Sequence, residues 1–173
     1  TSGRPEVDRP WRRGGDAYNH RFSTRNAGTP MELLRGLPGL QRRTARDAVR
    51  CAVAIGNFDG VHLGHQALVR RTHELAAASG ASTAVLTFEP QPREYLDPAG
   101  APPRLMRLRE KYAALAALGV DRLYVVRFDE RLRRMRAAEF VDAVLVRGLG
   151  VRHVVVGEGF RFAAQREGTV ETL

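Results

Sequence analysis

Between residues 51 and 156, compact apolar runs alternate with longer amphipathic ones. Residues 51–56, 84–88, 122–128 and 151–156 are short, bounded by polar or glycine-bearing stretches and rich in Val, Leu and Phe, and they predict four strands. Residues 65–78 place Ala67, Leu68, Leu75 and Ala78 on one helical face and run to Gly80, a C-terminal stop signal. Residues 105–118, closed by Gly119, and residues 137–146, followed by Gly148 and Gly150, predict two further helices. After the second strand comes Glu89-Pro90-Gln91-Pro92. Two prolines so close together cannot continue a helix or an interior strand, so this stretch predicts a stiff, defined loop. Strands alternating with helices at a repeat of roughly 30 residues call for βαβ units with right-handed crossovers. The expected fold is α/β, a mostly parallel sheet flanked by helices on both faces. Its strands end along one edge, so His62 and His65, the Pro90–Pro92 loop, Asp129 and residues 157–162 all point toward one crevice.

The flanks read differently. Residues 1–30 show no sustained periodicity and are rich in Gly, Pro, Arg, Ser, Thr and Asn, which predicts a disordered or non-native extension. Met31 reads as a native start, with Leu33, Leu34, Leu37 and Leu40 forming a short apolar segment, and residues 42–50 as a polar, basic connector. Residues 31–173 then make one domain, with a chain-wide apolar content of 43% sufficient for a core. No apolar run approaches the roughly 18–20 residues that span a bilayer, and no signal peptide is apparent. The single cysteine, Cys51, excludes an intramolecular disulfide framework and a cysteine-based metal site. A cytoplasmic protein with no membrane association is expected.

The net charge of +9 raises nucleic acid as a partner. Two features weaken that reading. Among 28 basic residues only Lys111 is a lysine, so the bias is arginine usage along the whole chain. Residues 1–50 hold 11 basic and 5 acidic residues, while the remainder holds 17 and 14, so the body is nearly balanced. No specific nucleic-acid partner is expected, since a basic tail supports only non-specific, salt-sensitive binding.

The sharpest chemical signal is Gly56-Asn57-Phe58-Asp59-Gly60-Val61-His62-Leu63-Gly64-His65, a glycine-bearing turn between a strand and a helix. Histidines at i and i+3 around a helix start can face one ligand beside open backbone amides and the positive end of the helix dipole. Such a site suits a polyphosphate, with imidazoles donating to oxygens where charge develops in an in-line displacement. Gly64 lets a ligand approach the backbone. A zinc site lacks a third nearby ligand. Neither G-x-x-x-x-G-K-[ST] nor G-x-G-x-x-G occurs, which argues against a P-loop kinase and a dinucleotide dehydrogenase. His73, His153 and Cys51 read as structural, and Arg131, Arg133, Arg134 and Arg136 as a solvated run.

The string from Gly56 to Gln66 resembles the nucleotide-binding motif of the bacterial FMN adenylyltransferase (FAD synthetase) module of the bifunctional riboflavin kinase/FMN adenylyltransferase family. The resemblance continues through Thr87-Phe88-Glu89-Pro90-Gln91-Pro92, Leu108-Arg109-Glu110-Lys111, Gly119-Val120-Asp121, Phe128-Asp129, Glu139-Phe140 and Val154-Val155-Val156-Gly157-Glu158. It implies a Rossmann-like nucleotidyltransferase fold and transfer of AMP from ATP to FMN, giving FAD and pyrophosphate, with Mg²⁺. Carried over by position, His62 and His65 would be catalytic. Gly56, Asn57, Phe58, Asp59, Gly60 and Gly64 would complete the ATP site. Pro90, Pro92, Phe160 and Phe162 would line the flavin pocket. Asp59 stays open between a metal-linked carboxylate and a turn-former, Phe160 and Phe162 stay open between pocket and core, and no residue is assigned to the metal.

Three positions depart from the family pattern. Gly159 stands where Asp or Asn is usual, Ala163 where Gly is usual, and Leu96 where an aromatic is usual. If position 163 needs a positive φ, alanine costs about 1 kcal/mol there. These departures bear on the flavin side more than on the ATP side. The family's Ser/Thr-rich segment with an arginine, and the riboflavin kinase domain to which the module is normally fused, do not follow before Leu173. The chain is therefore expected to be a truncated module with weak or absent turnover. The alternatives are a nucleotidyltransferase for another phosphorylated acceptor and a non-catalytic nucleotide- or RNA-binding remnant.

Overall fold

A computed structural model describes residues 30–36 and 50–173. The extension before residue 30, the connector at 42–49, Leu37 and Leu40 lie outside the described residues. Five strands form one parallel sheet: β1 (Glu32–Arg35), β2 (Cys51–Ile55), β3 (Ser82–Glu89), β4 (Arg122–Arg127) and β5 (Val151–Val155), in the order β1-β4-β3-β2-β5. β2 lies inside the sheet between β3 and β5, and all five of its residues are buried, as a continuous apolar run in a sheet covered on both faces should be.

Alternation along the strands sorts the core into two layers. Val53, Ile55, Leu86, Tyr124 and Val126 face Phe140, Val144, Leu145 and Leu149. Ala54, Val85, Leu123 and Val125 face Val69 and Leu115 on the opposite side. The second layer is supplied by α1 (Leu63–Ser79) and α3 (Leu108–Ala117), the first by the chain between β4 and β5. α1 ends at Gly80, whose φ of +64° is required by the cap alone, since a Cβ there would meet nothing within 4 Å.

Several elements depart from the sequence expectation. The apolar segment after Met31 is an edge strand: β1 pairs with β4 in register, and the Tyr112 hydroxyl donates to the Met31 carbonyl at 2.5 Å. The loop at Pro90 contains a short helix, α2 (Pro92–Leu96), which begins on Pro92 because a first-turn amide needs no intrahelical acceptor. The Glu89–Pro90 peptide is cis. The arginine run includes α4 (Glu130–Arg134), with Glu130 bonded to Arg133 and Arg134.

The helix expected over residues 137–146 starts as α5 (Ala137–Glu139) and continues in π geometry over Phe140–Val146, with Arg147 N–H donating to Asp142 O at 2.9 Å. The wider turn suits the burial pattern, in which Phe140, Val144, Leu145 and Leu149 reach the sheet at intervals of four or five residues.

The structural readings of His73 and Cys51 hold. His73 bonds Leu118 O at 2.9 Å and Thr83 Oγ1 at 3.0 Å. Cys51 is fully buried, and burial, only partly opposed by the charge of Arg122, pushes its thiol up to about 11. No helix among the described residues is long and apolar enough to cross a membrane.

Ala163 sits at φ +67°, ψ −176°, a region occupied almost only by glycine. Ala163→Gly is expected to raise the free energy of unfolding by about 1 kcal/mol, read from chemical denaturation midpoints at unchanged slope. A destabilised variant would contradict the strain assignment.

Candidate functional site

The strand order reverses at β2. From β2 the chain steps outward to β3 and β4 on one side, whereas β5 lies on the other. Loops leaving the carboxyl ends of β2 and β5 therefore diverge to opposite faces and open a crevice between them. Residues 56–65 follow β2 and residues 157–162 follow β5. Residues 90–92 follow β3 next to β2, and Phe128 and Asp129 follow β4.

The turn after β2 is bound tightly to its surroundings. Gly56 N–H donates to Leu86 O at 3.1 Å. Phe58 adopts a left-handed conformation (φ 50°, ψ 35°) with its ring completely buried. Gly60, at φ +75°, lies so close to Leu105 that a Cβ would approach Leu105 Cδ1 to 2.9 Å. From below, the Asn57 carbonyl accepts bonds from Lys111 Nζ at 2.6 Å and Thr87 Oγ1 at 3.0 Å. From the side, the Asp59 carboxylate accepts from Leu105 N–H at 3.0 Å and Met106 N–H at 2.9 Å. Of the two roles open for Asp59, the geometry supplies the turn-holding one. Partial burial opposes its charge. The two backbone bonds, the neighbouring Gln91 amide and the Lys111 charge outweigh that and hold the carboxyl below its usual range.

His62 is extended (φ −68°, ψ 175°) and stands at the N-terminus of α1, where no side chain caps the helix and no acidic residue occupies the first turn. Gln66 has its amide taken up by His62 O at 3.0 Å. The amides before it have no intrahelical acceptor and leave an uncompensated positive helix end. The His62 ring is exposed and stacks on His65 with centroids 3.7 Å apart at 24°, and His65 leans on Phe58 at 4.8 Å. Gly64 makes room for this stack, since a Cβ would lie 3.2 Å from the His62 ring. Burial, the neighbouring His62 and the Lys111 charge lower the His65 pKa to about 4 against the opposing pull of Asp59, so the ring is neutral at pH 7. Its Nδ1 is buried without a hydrogen-bond partner.

At the end of β3, Pro90 and Pro92 are half-buried and flank the buried Gln91, whose Nε2 is the second buried side-chain atom without a hydrogen-bond partner among the described residues. Arg104 pairs with both Glu89 and Glu94 and ties the following loop to the end of β3. The Arg104 hydrogen bond holds the Glu94 carboxyl below its usual range. Phe128 makes edge contacts with Phe88 at 6.1 Å and Tyr95 at 5.6 Å.

Phe162 belongs to the core, 5.3 Å from Phe140, and Phe160 stacks on it at 5.8 Å while remaining half-buried. Gly159 has φ +76° with open space where a side chain would project. Asp129 caps α4 by accepting from Leu132 N–H at 3.1 Å, which commits that oxygen to the helix. Sequence reasoning assigned no role to Lys111, Gln91 or Arg104. Lys111 carried a readable signal, because it lies four residues before Leu115 on the buried stripe of α3.

Comparison with known proteins adds a family to this geometry. The FAD synthetase profile matches residues 44–173. The chain is 46% identical over 143 residues to the bifunctional riboflavin kinase/FMN adenylyltransferase of Pseudomonas fluorescens, covering 83% of this chain and 44% of that protein. Against the protein of the same name from Escherichia coli K12 it is 44% identical over 138 residues, covering 80% and 43%. It thus spans less than half the length of these curated relatives. A solved structure described as a macrolide-efflux protein from Streptococcus pneumoniae superimposes with a TM-score of 0.60 at 25% identity, covering 71% of this chain and 41% of the other. With the family profile matched over well more than half of its residues, and with the strand-end crevice described above, the chain belongs to the FAD synthetase family.

Proposed function

We propose that this chain transfers the AMP moiety of ATP to the phosphate of FMN, forming FAD and releasing pyrophosphate. The observation that carries the reading is the His62–His65 stack over an uncapped helix N-terminus, with one buried ring nitrogen unpartnered. Family membership supports FMN as one substrate and, through the reaction its name implies, ATP as the other. Gly56, Asn57, Phe58, Asp59, Gly60 and Gly64 form the nucleotide side, and Pro90, Pro92 and Phe160 the flavin side, with Phe162 backing Phe160 from the core.

The reaction is an in-line displacement. A phosphate oxygen of FMN forms a bond to the α-phosphorus of ATP, and the bond from that phosphorus to the bridging oxygen breaks, with its electron pair leaving on pyrophosphate. The attacking phosphate is already anionic, so no general base is required. Catalysis then reduces to positioning and to donors aimed where charge develops. The open amides of the first turn of α1 and the exposed His62 imidazole supply such donors. His65, neutral at pH 7, can supply one ring N–H. A Mg²⁺ ion would be held chiefly by the ATP phosphates and would stabilise their charge, with no all-protein cage needed. The Asp59 carboxylate is committed to backbone amides, and no cluster of three His, Cys, Asp or Glu residues suited to a metal occurs among the described residues.

Two measurements follow. His62→Ala is expected to lower kcat/KM for pyrophosphate release from FMN and Mg·ATP by about 10²-fold or more, with an unchanged melting temperature because the ring is exposed. The assay applies to this chain and to any longer chain containing it, and folded protein that releases no pyrophosphate in either form would overturn the reading. The second concerns pH. His65 has a folded pKa of about 4 against 6.5 unfolded, so between these values the unfolded state binds more protons. Stability should rise with pH across that window, and the slope should flatten in His65→Gln. An unaltered slope would refute the His65 assignment.

A further inference from the structure

The only lysine of the chain is also the only fully buried charged side chain among the described residues: Lys111 is 1% exposed, and the other 27 basic residues are arginines. A guanidinium needs a fork of acceptors, whereas a compact ammonium can be met by one or two oxygens. Lys111 Nζ has such a pair, Asn57 O at 2.6 Å and Thr87 Oγ1 at 3.5 Å, and Thr87 Oγ1 itself donates to the same Asn57 carbonyl. No carboxylate among the described residues forms an ion pair with it. The acidic groups that feel its charge, Asp59, Glu89 and Glu94, are engaged elsewhere, by the Leu105 and Met106 amides and by Arg104. Arg104 is the nearby cation that opposes it.

A buried charge without a counter-ion is costly, and a methionine of similar shape would relieve that cost if packing were the only purpose. The charge lies directly beneath the turn that carries His62 and His65. Phe58 and Gly60 follow the anchored carbonyl in left-handed conformations that ordinary residues do not hold unaided.

We propose that Lys111 is a positioning residue of the nucleotide site. Its ammonium holds the turn at residues 56–61 through the Asn57 carbonyl and places an unpaired positive charge under the polyphosphate without touching it. This rests on the ATP reading above. The nucleotide side thereby draws on two layers of positive potential, the open helix end at the surface and the ammonium below it.

The test compares binding of ATP and of adenosine by calorimetry in wild type, Lys111→Met and Thr87→Val. Lys111→Met is expected to weaken ATP about tenfold and adenosine far less, because adenosine carries no phosphate. Thr87→Val removes the second donor to Asn57 O but keeps the charge, and its ATP affinity should fall much less than that of Lys111→Met. A folded Lys111→Met with wild-type ATP affinity, or with equal losses for ATP and adenosine, overturns the proposal while leaving the ATP reading intact. Folded wild type that binds no ATP overturns both. If Lys111→Met does not fold, Lys111→Gln, which keeps a donor for Asn57 and removes only the charge, is judged by the same two outcomes.

Discussion

One backbone oxygen ties this structure together. The carbonyl of Asn57, just past β2, is held by Thr87 from the end of β3 and by Lys111 from α3, so two adjacent interior strands and the covering helix meet at a single point. Everything on the nucleotide side hangs from that point. The chain can turn left-handed at Phe58 because its entry is anchored and its ring is buried, and only after that turn does α1 begin with its open amides and the exposed His62 ring. Asp59 closes the same turn against the loop at residues 105 and 106. The site is rigid because neighbouring elements over-determine it, which is the condition under which strained backbone persists at functional sites.

The sheet and its parallel sense were legible before any coordinates. Val53 and Ile55, Leu86, and Val125 and Val126 lie in compact apolar runs, and runs separated by long amphipathic segments admit few other arrangements. What escaped notice was set by tertiary context. The four-residue β1 has too little alternation to announce itself and exists because β4 offers an open edge. The π geometry after Phe140 follows from which residues must reach the sheet, a demand invisible to a 3.6-residue period. Pro90 and Pro92 were legible as rigid, but the helix starting on Pro92 depends on the Gln91–Glu94 pairing at its start, with Glu94 accepting from Gln91 N–H at 2.9 Å.

At the site, residue types spoke clearly where chemistry selects them and poorly where partners do. The histidine pair stood out from its spacing. The concern about Ala163 was also legible, and its φ of +67° shows alanine in a glycine conformation. Phe160 and Phe162 could not be divided between pocket and core from sequence, and the structure divides them unequally, with Phe162 interior and Phe160 stacked above it. Arg104, one arginine among many, became distinct only when Glu89 and Glu94 were seen to converge on it.

Among the described residues the sheet ends at β1 on one side and β5 on the other, and both outer strands are poor templates for a further strand. β1 is only four residues long and carries Glu32 and Arg35, with Glu32 paired to Arg122, while β5 exposes Arg152. Short, charged borders discourage chains from joining edge to edge and growing into aggregates. A fold whose interior strands are so uniformly apolar needs that protection while it assembles, and here it comes from the same arginine-rich composition that first suggested a quite different partner.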